Sequence, residues 1–187
     1  MLGYIGLGSN LGNRRAWLRR GLIGLRDAGL APIAVSSVWE SEPVGTREPM
    51  WFLNMAVTVR TGLAPTAVLD LLLRIEREAL RMRRRRNGPR TLDLDLLMLG
   101  RRQHGDERLT LPHPRMWQRR FVLEPLAEIA PRLRDPRGGP TVADRCERLR
   151  ATAVVRPAGR LELAGIIRPS TRSWRSAYGN EIPIDRR

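Results

Sequence analysis

Lysine is absent from this sequence, although the chain is strongly basic. All 34 residues counted as lysine or arginine are arginines. A chain without lysine cannot contain a Walker A phosphate-binding loop, a lysine Schiff base or a lysine general base. Arginine can still bind phosphate oxygens through its planar, two-pronged set of N–H donors. Any phosphate chemistry in this protein must therefore use arginine as its permanently charged side chain.

Cysteine and histidine are also scarce. Cys146 is the only cysteine, and His104 and His113 are the only histidines, so an internal disulfide and a structural Cys/His zinc site are both excluded. No uninterrupted apolar run reaches the roughly 18 residues that a membrane span requires. The first residues show neither the basic region nor the cleavage pattern of a signal peptide. We therefore expect a cytoplasmic protein with no membrane partner.

The net charge of +15 predicts an anionic partner, because a compact body with this much self-repulsion usually binds something negative. Charge alone does not distinguish nucleic acid, membrane phosphate and a phosphorylated small molecule. With 187 residues, 42% of them hydrophobic, the chain can bury one ordinary core. We predict one domain over 1–150 and a basic extension over 151–187, which either packs on the body or is partly disordered.

The apolar pattern predicts the element order β-α-β-β-α-β. Strands are predicted at 2–8, 33–42, 51–60 and 92–99, and helices after the Gly8-Ser9-Asn10 turn and cap and from Pro65 to about 80. Shorter helices are expected around 121–129 and 142–149. This order predicts an α+β fold of the ferredoxin-like kind, a mainly antiparallel sheet with helices packed on it.

Asp93 and Asp95 form the strongest chemical pattern, because they alternate with leucines inside the predicted strand 92–99. Side chains alternate between the faces of a strand, so both carboxylates point to one face and the leucines to the other. Two carboxylates about 5 to 6 Å apart, at an effective dielectric constant near 20, repel by roughly 3 kcal/mol. Magnesium would relieve this repulsion, since one or two carboxylates, water and substrate phosphates usually bind it. A solvated Asp-Leu-Asp on an edge strand is the simpler interpretation of the pattern alone.

An arginine-rich loop directly before this strand supports the metal interpretation. Its arginines stand at positions 81, 83, 84, 85, 86 and 90, around Asn87-Gly88-Pro89. We expect the loop to place guanidinium groups above the face that carries the aspartates. Phosphoryl transfer requires mainly positioning and charge neutralisation, which arginines and Mg²⁺ supply. Without the neighbouring aspartates, the same run would indicate a solvated charge run or a nucleic-acid-binding patch.

Five short blocks of the sequence are recognisable together. They are G-S-N-L-G-N at 8–13, S-E-P-V-G at 41–45, F-L-N at 52–54, G-P-R-T-L-D-L-D at 88–95 and L-P-H-P at 111–114. In this order and spacing, over roughly residues 1 to 150, the chain resembles the 6-hydroxymethyl-7,8-dihydropterin pyrophosphokinase family. The resemblance implies ATP-dependent transfer of pyrophosphate to the hydroxymethyl group of the dihydropterin, giving AMP and the pterin diphosphate, in folate biosynthesis.

The resemblance also implies a nucleotide site. Asp93 and Asp95 correspond to the ligands of two Mg²⁺ ions that join ATP to the pterin hydroxyl group, and Arg81 and Arg90 to the residues that hold the transferred phosphates. The further positions that contact ATP in the family are Glu76, Arg83, Arg86, Arg108, Thr110, His113 and Arg119. The two arginines that precede Arg86 remain alternatives to it.

A pterin pocket is implied as well. The family positions that build it are Ser41, Pro43, Val44, Phe52, Asn54 and Phe121. The pterin ring would stack between two aromatic rings, and the amide of Asn54 would bind its polar edge. Aromatic faces suit a flat heterocycle, and one buried amide can both donate and accept hydrogen bonds. The segments 45–50 and 81–90 resemble mobile lids of the family that exclude water from the transfer.

Two other functions remain compatible with the residues alone. The charge of +15 would suit a basic nucleic-acid-binding module, although the aromatic content of 5% and the absence of a base-stacking motif argue against it. The aspartate pair would also suit a two-metal nuclease or phosphatase. We expect a monomer whose partners are ATP and the pterin, and no nucleic-acid partner.

Overall fold

Eight strands and four helices are present in the residues that the computed structural model describes, 1–43, 50–79 and 90–166. The strands are β1 (Leu2–Ser9), β2 (Pro32–Val35), β3 (Trp39–Ser41), β4 (Phe52–Arg60), β5 (Asp93–Leu99), β6 (His104–Gly105), β7 (Thr110–Leu111) and β8 (Val155–Pro157). The helices are α1 (Arg14–Asp27), α2 (Pro65–Glu78), α3 (Arg120–Ile129) and α4 (Val142–Arg148). A 3-10 turn, Met116–Gln118, precedes α3.

Six of these strands form one antiparallel sheet with the order β5-β1-β4-β3-β8, in which β2 also pairs with β4. The first strand therefore lies between β4 and β5, as in a ferredoxin-like arrangement. Seven of the nine residues of β4 and five of the eight residues of β1 are buried, because both strands lie inside the sheet. The expected α+β fold with a mainly antiparallel sheet is confirmed.

Helices α1 and α2 pack on one face of this sheet. In α1 the buried residues Leu18, Leu22 and Leu25 recur every three to four positions and so form one apolar stripe. At Gly24 the two helices come close, since a Cβ there would lie 2.7 Å from Cγ2 of Ile75 on α2. Glycine is therefore required where these helices cross.

Helices α3 and α4 cover the opposite face and form a second core with one end of β5. On this face of β5, Leu97 and Met98 are 1% and 2% exposed, whereas Asp93 and Asp95 are half-buried. The apolar end of the strand thus belongs to the second core, and the acidic end lies beyond it.

The segment 33–42, expected as one extended strand, is interrupted between β2 and β3. At the interruption the hydroxyl oxygen of Ser36, in place of a backbone carbonyl, accepts the hydrogen bond from the Ala56 N–H at 2.9 Å. Val38 then donates its N–H to the carbonyl of Gly159 at 2.7 Å. The expectation of one uninterrupted strand is corrected, because a side chain replaces one link of the ladder and apolar alternation does not reveal this.

Residues 151–166 pack on the body of the protein. β8 extends the main sheet beside β3, Arg15 donates to the carbonyl of Ala158, and Nη1 of Arg26 donates to the carbonyl of Gly165 at 2.7 Å. Ile166 is 1% exposed. Of the two forms expected for the extension, the packed one is present up to residue 166, and the residues from 167 on lie outside the described part. The domain boundary at residue 150 stays a prediction.

Candidate active site

Asp93 and Asp95 lie at the beginning of β5, the strand at one end of the main sheet. Both are half-buried, and the register places them opposite Gly8 and Gly6 of β1. Leu94, between them, is 4% exposed and faces the core under α1 and α2. The predicted alternation is therefore present, and the two carboxylates share one face. Because glycines stand opposite them, no β1 side chain fills the adjacent space.

Gly8 of β1 lies between the acid pair on β5 and the buried amide of Asn54 on β4. The sheet register pairs Gly8 with Asp93 on one side and with Asn54 on the other. A Cβ on Gly8 would lie 3.6 Å from Oδ1 of Asn54 and 3.8 Å from Cβ of Asp93. The two side chains thus flank an open position, and three adjacent strands present a carboxylate, a glycine and an amide side by side.

Arg90 contacts both the acid pair and an aromatic ring. Its Nη1 lies 2.5 Å from Oδ2 of Asp93, a charge-assisted hydrogen bond. Its guanidinium carbon lies 5.7 Å from the centre of the Phe52 ring, within the range of a cation–π contact. One guanidinium group therefore joins the acidic and the aromatic parts of the site.

Arg119, immediately before α3, is the second arginine near the acid pair. Its guanidinium carbon lies 5.6 Å from the centre of the Phe121 ring. Burial lowers the pKa of Arg119, the positive charge of Arg115 lowers it further, and the charges of Asp95 and Asp93 oppose this shift. The side chain is therefore a partly desolvated cation in the field of both carboxylates.

His113 lies on the loop after β7, close enough to Asp93 for the charge of that carboxylate to act on its pKa. Its backbone N–H donates to the Leu97 carbonyl of β5 at 2.8 Å, and its Nδ1 accepts from the Arg115 N–H at 3.2 Å. Burial lowers the pKa of His113 to about 4, with further lowering by Arg119 and Arg115. The ring is therefore neutral near neutral pH. Because Nδ1 accepts a hydrogen bond, the ring proton is on Nε2, which is a donor.

The role of Asn10 was missed by sequence analysis. Its Oδ1 accepts the Arg90 N–H at 2.7 Å, and its own N–H donates to the Arg90 carbonyl at 3.2 Å. The expected cap of α1 at residues 8–10 is corrected, because Asn13 caps the helix by accepting the Ala16 N–H at 3.1 Å. The indication available in the sequence was position: a polar residue directly after β1 meets the segment that leads into β5, since the two strands are antiparallel neighbours.

Glu76 supports β5 from the face of the sheet that α2 covers. It is 3% exposed on α2, and its Oε1 accepts the Leu94 N–H at 2.7 Å. The Thr91 hydroxyl similarly donates to the Ala79 carbonyl at 2.7 Å and joins the end of α2 to the start of β5. The carboxylate of Glu76 thus fixes the residue between the two aspartates. The ATP contact implied for Glu76 stays a prediction.

Five of the residues predicted to bind the pterin lie at or just after the neighbouring strand ends or on α3. Nδ2 of Asn54 donates to Oγ of Ser41 at 2.9 Å, and these residues are only 5% and 2% exposed. Phe52 pairs with Ser41 across β3 and β4 and is half-buried, as is Phe121 in the first turn of α3. Pro43, also half-buried, follows β3 closely.

The remaining predicted residues are not joined to this group by the described contacts. The side chain of Arg108 pairs with Asp70 on α2, and Thr110 is exposed on β7. Their assignment to the site therefore depends on the sequence resemblance alone. The other predicted residues lie outside the described part of the chain: Val44, Arg81, Arg83 and Arg86.

The acid pair fits a magnesium ion by the chemistry of its donors. Asp93 and Asp95 supply hard carboxylate oxygens on one open face. Within residues 1–43, 50–79 and 90–166, no group of three or more His, Cys, Asp or Glu residues could form an all-protein cage. A site with two carboxylates leaves the rest of the coordination shell to water and phosphate, which Mg²⁺ prefers.

The class of protein follows from the concentration of charge at this end of the sheet. A carboxylate pair with guanidinium groups around it suits a phosphoryl-transfer enzyme. The model of the 7,8-dihydro-6-hydroxymethylpterin-pyrophosphokinase (HPPK) family matches residues 4–131. The chain belongs to this family.

Proteins from several bacteria are similar to this chain along most of their length. A Bacillus subtilis protein is 47% identical over 129 residues, which are 68% of this chain and 77% of that protein. A Synechocystis protein is 43% identical over 166 residues, 88% of this chain and 85% of that protein. Both are named 2-amino-4-hydroxy-6-hydroxymethyldihydropteridine pyrophosphokinase.

Solved structures show the same fold. A Plasmodium falciparum HPPK-DHPS crystal structure matches with a TM-score of 0.60 and 13% identity, covering 79% of this chain. Because the identity is low, this likeness shows the fold alone. The match covers 44% of that longer chain.

Family membership confirms the expected function. The protein is a transferase of folate biosynthesis that uses ATP to pyrophosphorylate hydroxymethyldihydropterin. In the described part of the chain, none of the helices combines the length and the apolar character needed to span a bilayer.

Proposed function

We propose that this pyrophosphate transfer takes place on the open face of β5, β1 and β4, with Asp93 and Asp95 as ligands of two Mg²⁺ ions. The observation that carries the proposal is the placement of both carboxylates on one face, opposite glycines and beside two guanidinium groups. Mg²⁺ bound there would neutralise phosphate charge and align the attacking hydroxyl group.

ATP is proposed to bind on the arginine side of the acid pair. Arg90 and Arg119 are placed to neutralise phosphate charge, and neutral His113 presents an Nε2–H donor to a phosphate oxygen. A neutral donor can bind phosphate without adding to the repulsion among the arginines. The family resemblance supports further nucleotide contacts from Glu76, Arg81, Arg83, Arg86, Arg108 and Thr110.

The pterin is proposed to bind between Phe52 and Phe121, with Asn54 at its polar edge. The amide donates through Nδ2 to Ser41, whereas its Oδ1 faces the open position above Gly8. An acceptor in this place suits an N–H of the pterin ring or of its amino group. The family resemblance supports Pro43 and Val44 as further residues of the same pocket.

In the reaction, the hydroxyl oxygen of the substrate forms a bond to the β-phosphorus of ATP. The bond from this phosphorus to the oxygen that bridges to the α-phosphorus breaks, AMP leaves with that oxygen, and the hydroxyl proton passes to solvent. Arg90 contacts both Asp93 and Phe52, so it stands between the two half-sites. It is therefore placed to neutralise charge on the group in transfer.

An AMP-release assay tests this proposal. The protein is incubated with ATP and Mg²⁺, with and without hydroxymethyldihydropterin. We expect AMP only when the pterin is present, in equal amount to the pterin diphosphate, and none after chelation of divalent ions. AMP or ADP formed without the pterin would contradict the proposal and favour a two-metal phosphatase or nuclease.

We further propose that the enzyme is a cytoplasmic monomer in which residues 1–150 carry catalysis and 151–187 form a basic extension. In support, the acid pair, its arginines and the amide pocket all come from one chain. Light scattering after gel filtration measures the mass, and a dimer at assay concentration would contradict the monomer.

A further inference from the structure

A cluster of four side chains links β8 to the proposed pterin side of the site. It consists of Arg14, Glu40, Trp51 and Arg156 and is called the Glu40 cluster below. Oε2 of Glu40 accepts hydrogen bonds from Nε and Nη2 of Arg156 at 3.1 and 2.7 Å. Oε1 accepts from Nη1 of Arg14 at 3.1 Å. One carboxylate, with only 18% of its side chain exposed, thus joins the start of α1 to β8.

Both arginines of the Glu40 cluster also contact Trp51. The guanidinium carbon of Arg156 lies 4.8 Å from the centre of the Trp51 ring, the shortest arginine–ring distance among the described residues. Nη1 of Arg14 donates to the Trp51 carbonyl at 2.8 Å. A planar guanidinium over an indole ring is favourable. Since the next residue is Phe52, the cluster fixes the backbone directly before a proposed pterin contact.

The backbone of β8 supports the same edge of the sheet. Val155 pairs with Ser41, and Arg156 pairs with Glu40. Ser41 supplies the hydroxyl that accepts the Asn54 hydrogen bond. Without β8, the short strand β3 would be an edge strand with unpaired backbone groups. β8 lies beyond residues 4–131 that the family model matches, so this support comes from outside the matched part.

We infer that Arg156, held in place by Glu40, is a positioning residue for the pterin side of the active site, acting through Trp51 and not by contact with a substrate. The inference rests on the proposed placement of the pterin at Phe52 and Asn54. Loss of Arg156 should therefore weaken pterin binding more than ATP binding, because the proposed ATP contacts lie on the other side of the site.

Steady-state kinetics of Arg156→Ala in the full chain, with each substrate varied in turn, test the inference. We expect the KM for the pterin to rise about fivefold, the effect of one guanidinium–indole contact, and the KM for ATP to stay within about twofold. Arg156→Lys keeps the charge beside Glu40 but loses the planar stack on Trp51. Arg156→Lys should also raise the pterin KM, and it replaces Arg156→Ala in the test if the alanine variant is too unstable to assay.

Arg137 offers a matched control. Its side chain is 62% exposed, as is that of Arg156, and it likewise pairs with a carboxylate, Asp135, at 2.7 Å. Arg137→Ala should leave both KM values within about twofold of the wild type. A purely structural effect of losing an exposed ion pair would move both variants alike.

A double variant separates positioning from general stabilisation. If Arg156 acts through Trp51, the pterin KM of Arg156→Ala combined with Trp51→Leu should be no higher than that of Trp51→Leu alone. The inference would be overturned if the pterin KM of the double variant rose by the product of the two single effects. It would also be overturned if Arg156→Ala raised the KM of both substrates equally or left the pterin KM unchanged. A wild-type protein that releases no AMP on addition of pterin would instead refute the proposed function.

Discussion

Replacing Asn10 by alanine tests how the structure holds Arg90. Oδ1 of Asn10 accepts the Arg90 N–H at 2.7 Å, and Asn10 is 4% exposed. The substitution leaves a partly buried N–H without its acceptor, which costs about 1 to 3 kcal/mol. For a chain of this size each kcal/mol lowers the melting temperature by about 2 to 4 °C, so we expect a decrease of roughly 2 to 12 °C.

The larger consequence should be catalytic. Arg90 contacts Asp93 and the Phe52 ring, and both contacts depend on the position of its backbone. A backbone shift of about 1 Å would misplace the guanidinium group, so we expect kcat to fall about 10- to 100-fold. Asn10→Asp keeps an acceptor oxygen for the Arg90 N–H and should retain most of the activity.

Asn13 provides the matched control, because it too accepts a backbone N–H, that of Ala16 at 3.1 Å. As the cap of α1, its replacement by alanine should cost about 1 kcal/mol of stability and leave kcat within about twofold. Melting followed by circular dichroism and AMP release at saturating substrate measure the two effects. A wild-type kcat for Asn10→Ala, or an equally large loss of kcat for Asn13→Ala, would refute this role of Asn10.

Three further predictions concern the charged groups of the site. Asp95→Ala should lower turnover by several orders of magnitude without loss of the fold, and activity within about tenfold of the wild type would contradict the metal role. Arg90→Ala should weaken ATP binding more than pterin binding in calorimetric titrations, and equal losses would contradict its assignment. In protein free of metal and nucleotide, NMR titration should find His113 with a pKa of about 4, against the ordinary 6.5, because burial and then Arg119 and Arg115 disfavour its charged form. As pH falls, His113 is protonated near pH 6.5 in the unfolded chain but only near pH 4 in the folded protein. The stability that this residue contributes above pH 6.5 is therefore lost as pH falls from 6.5 to 4. A measured pKa near 6.5 would exclude this contribution.

The elements that sequence predicts well are those that depend on near neighbours along the chain. The Asp/Leu alternation of β5 is a period of two, and it alone places Asp93 and Asp95 on one face. In α2, Pro65 opens the helix and Val68, Leu72 and Ile75 form its buried stripe, as the spacing predicts. Neither element needs knowledge of its distant partners.

Interactions between distant segments could not be predicted in the same way. Asn10 and Arg90 are 80 residues apart, and Glu40 and Arg156 are 116 apart. No local periodicity relates such pairs. The interruption at Ser36 belongs to the same class, because it depends on which N–H of β4 comes opposite that hydroxyl group.

By itself, the sequence determined the order of the main helices and strands up to β5 apart from the interruption at Ser36, the shared face of the two acids and, through five short blocks, the family. The tertiary structure alone decided that Asn10 anchors Arg90, that Glu76 fixes the strand between the aspartates, and that β8 joins the main sheet. The physical reason is that backbone periodicity is a property of consecutive residues. The hydrogen-bond partners of a buried polar group are set by segments that meet only after the chain has folded.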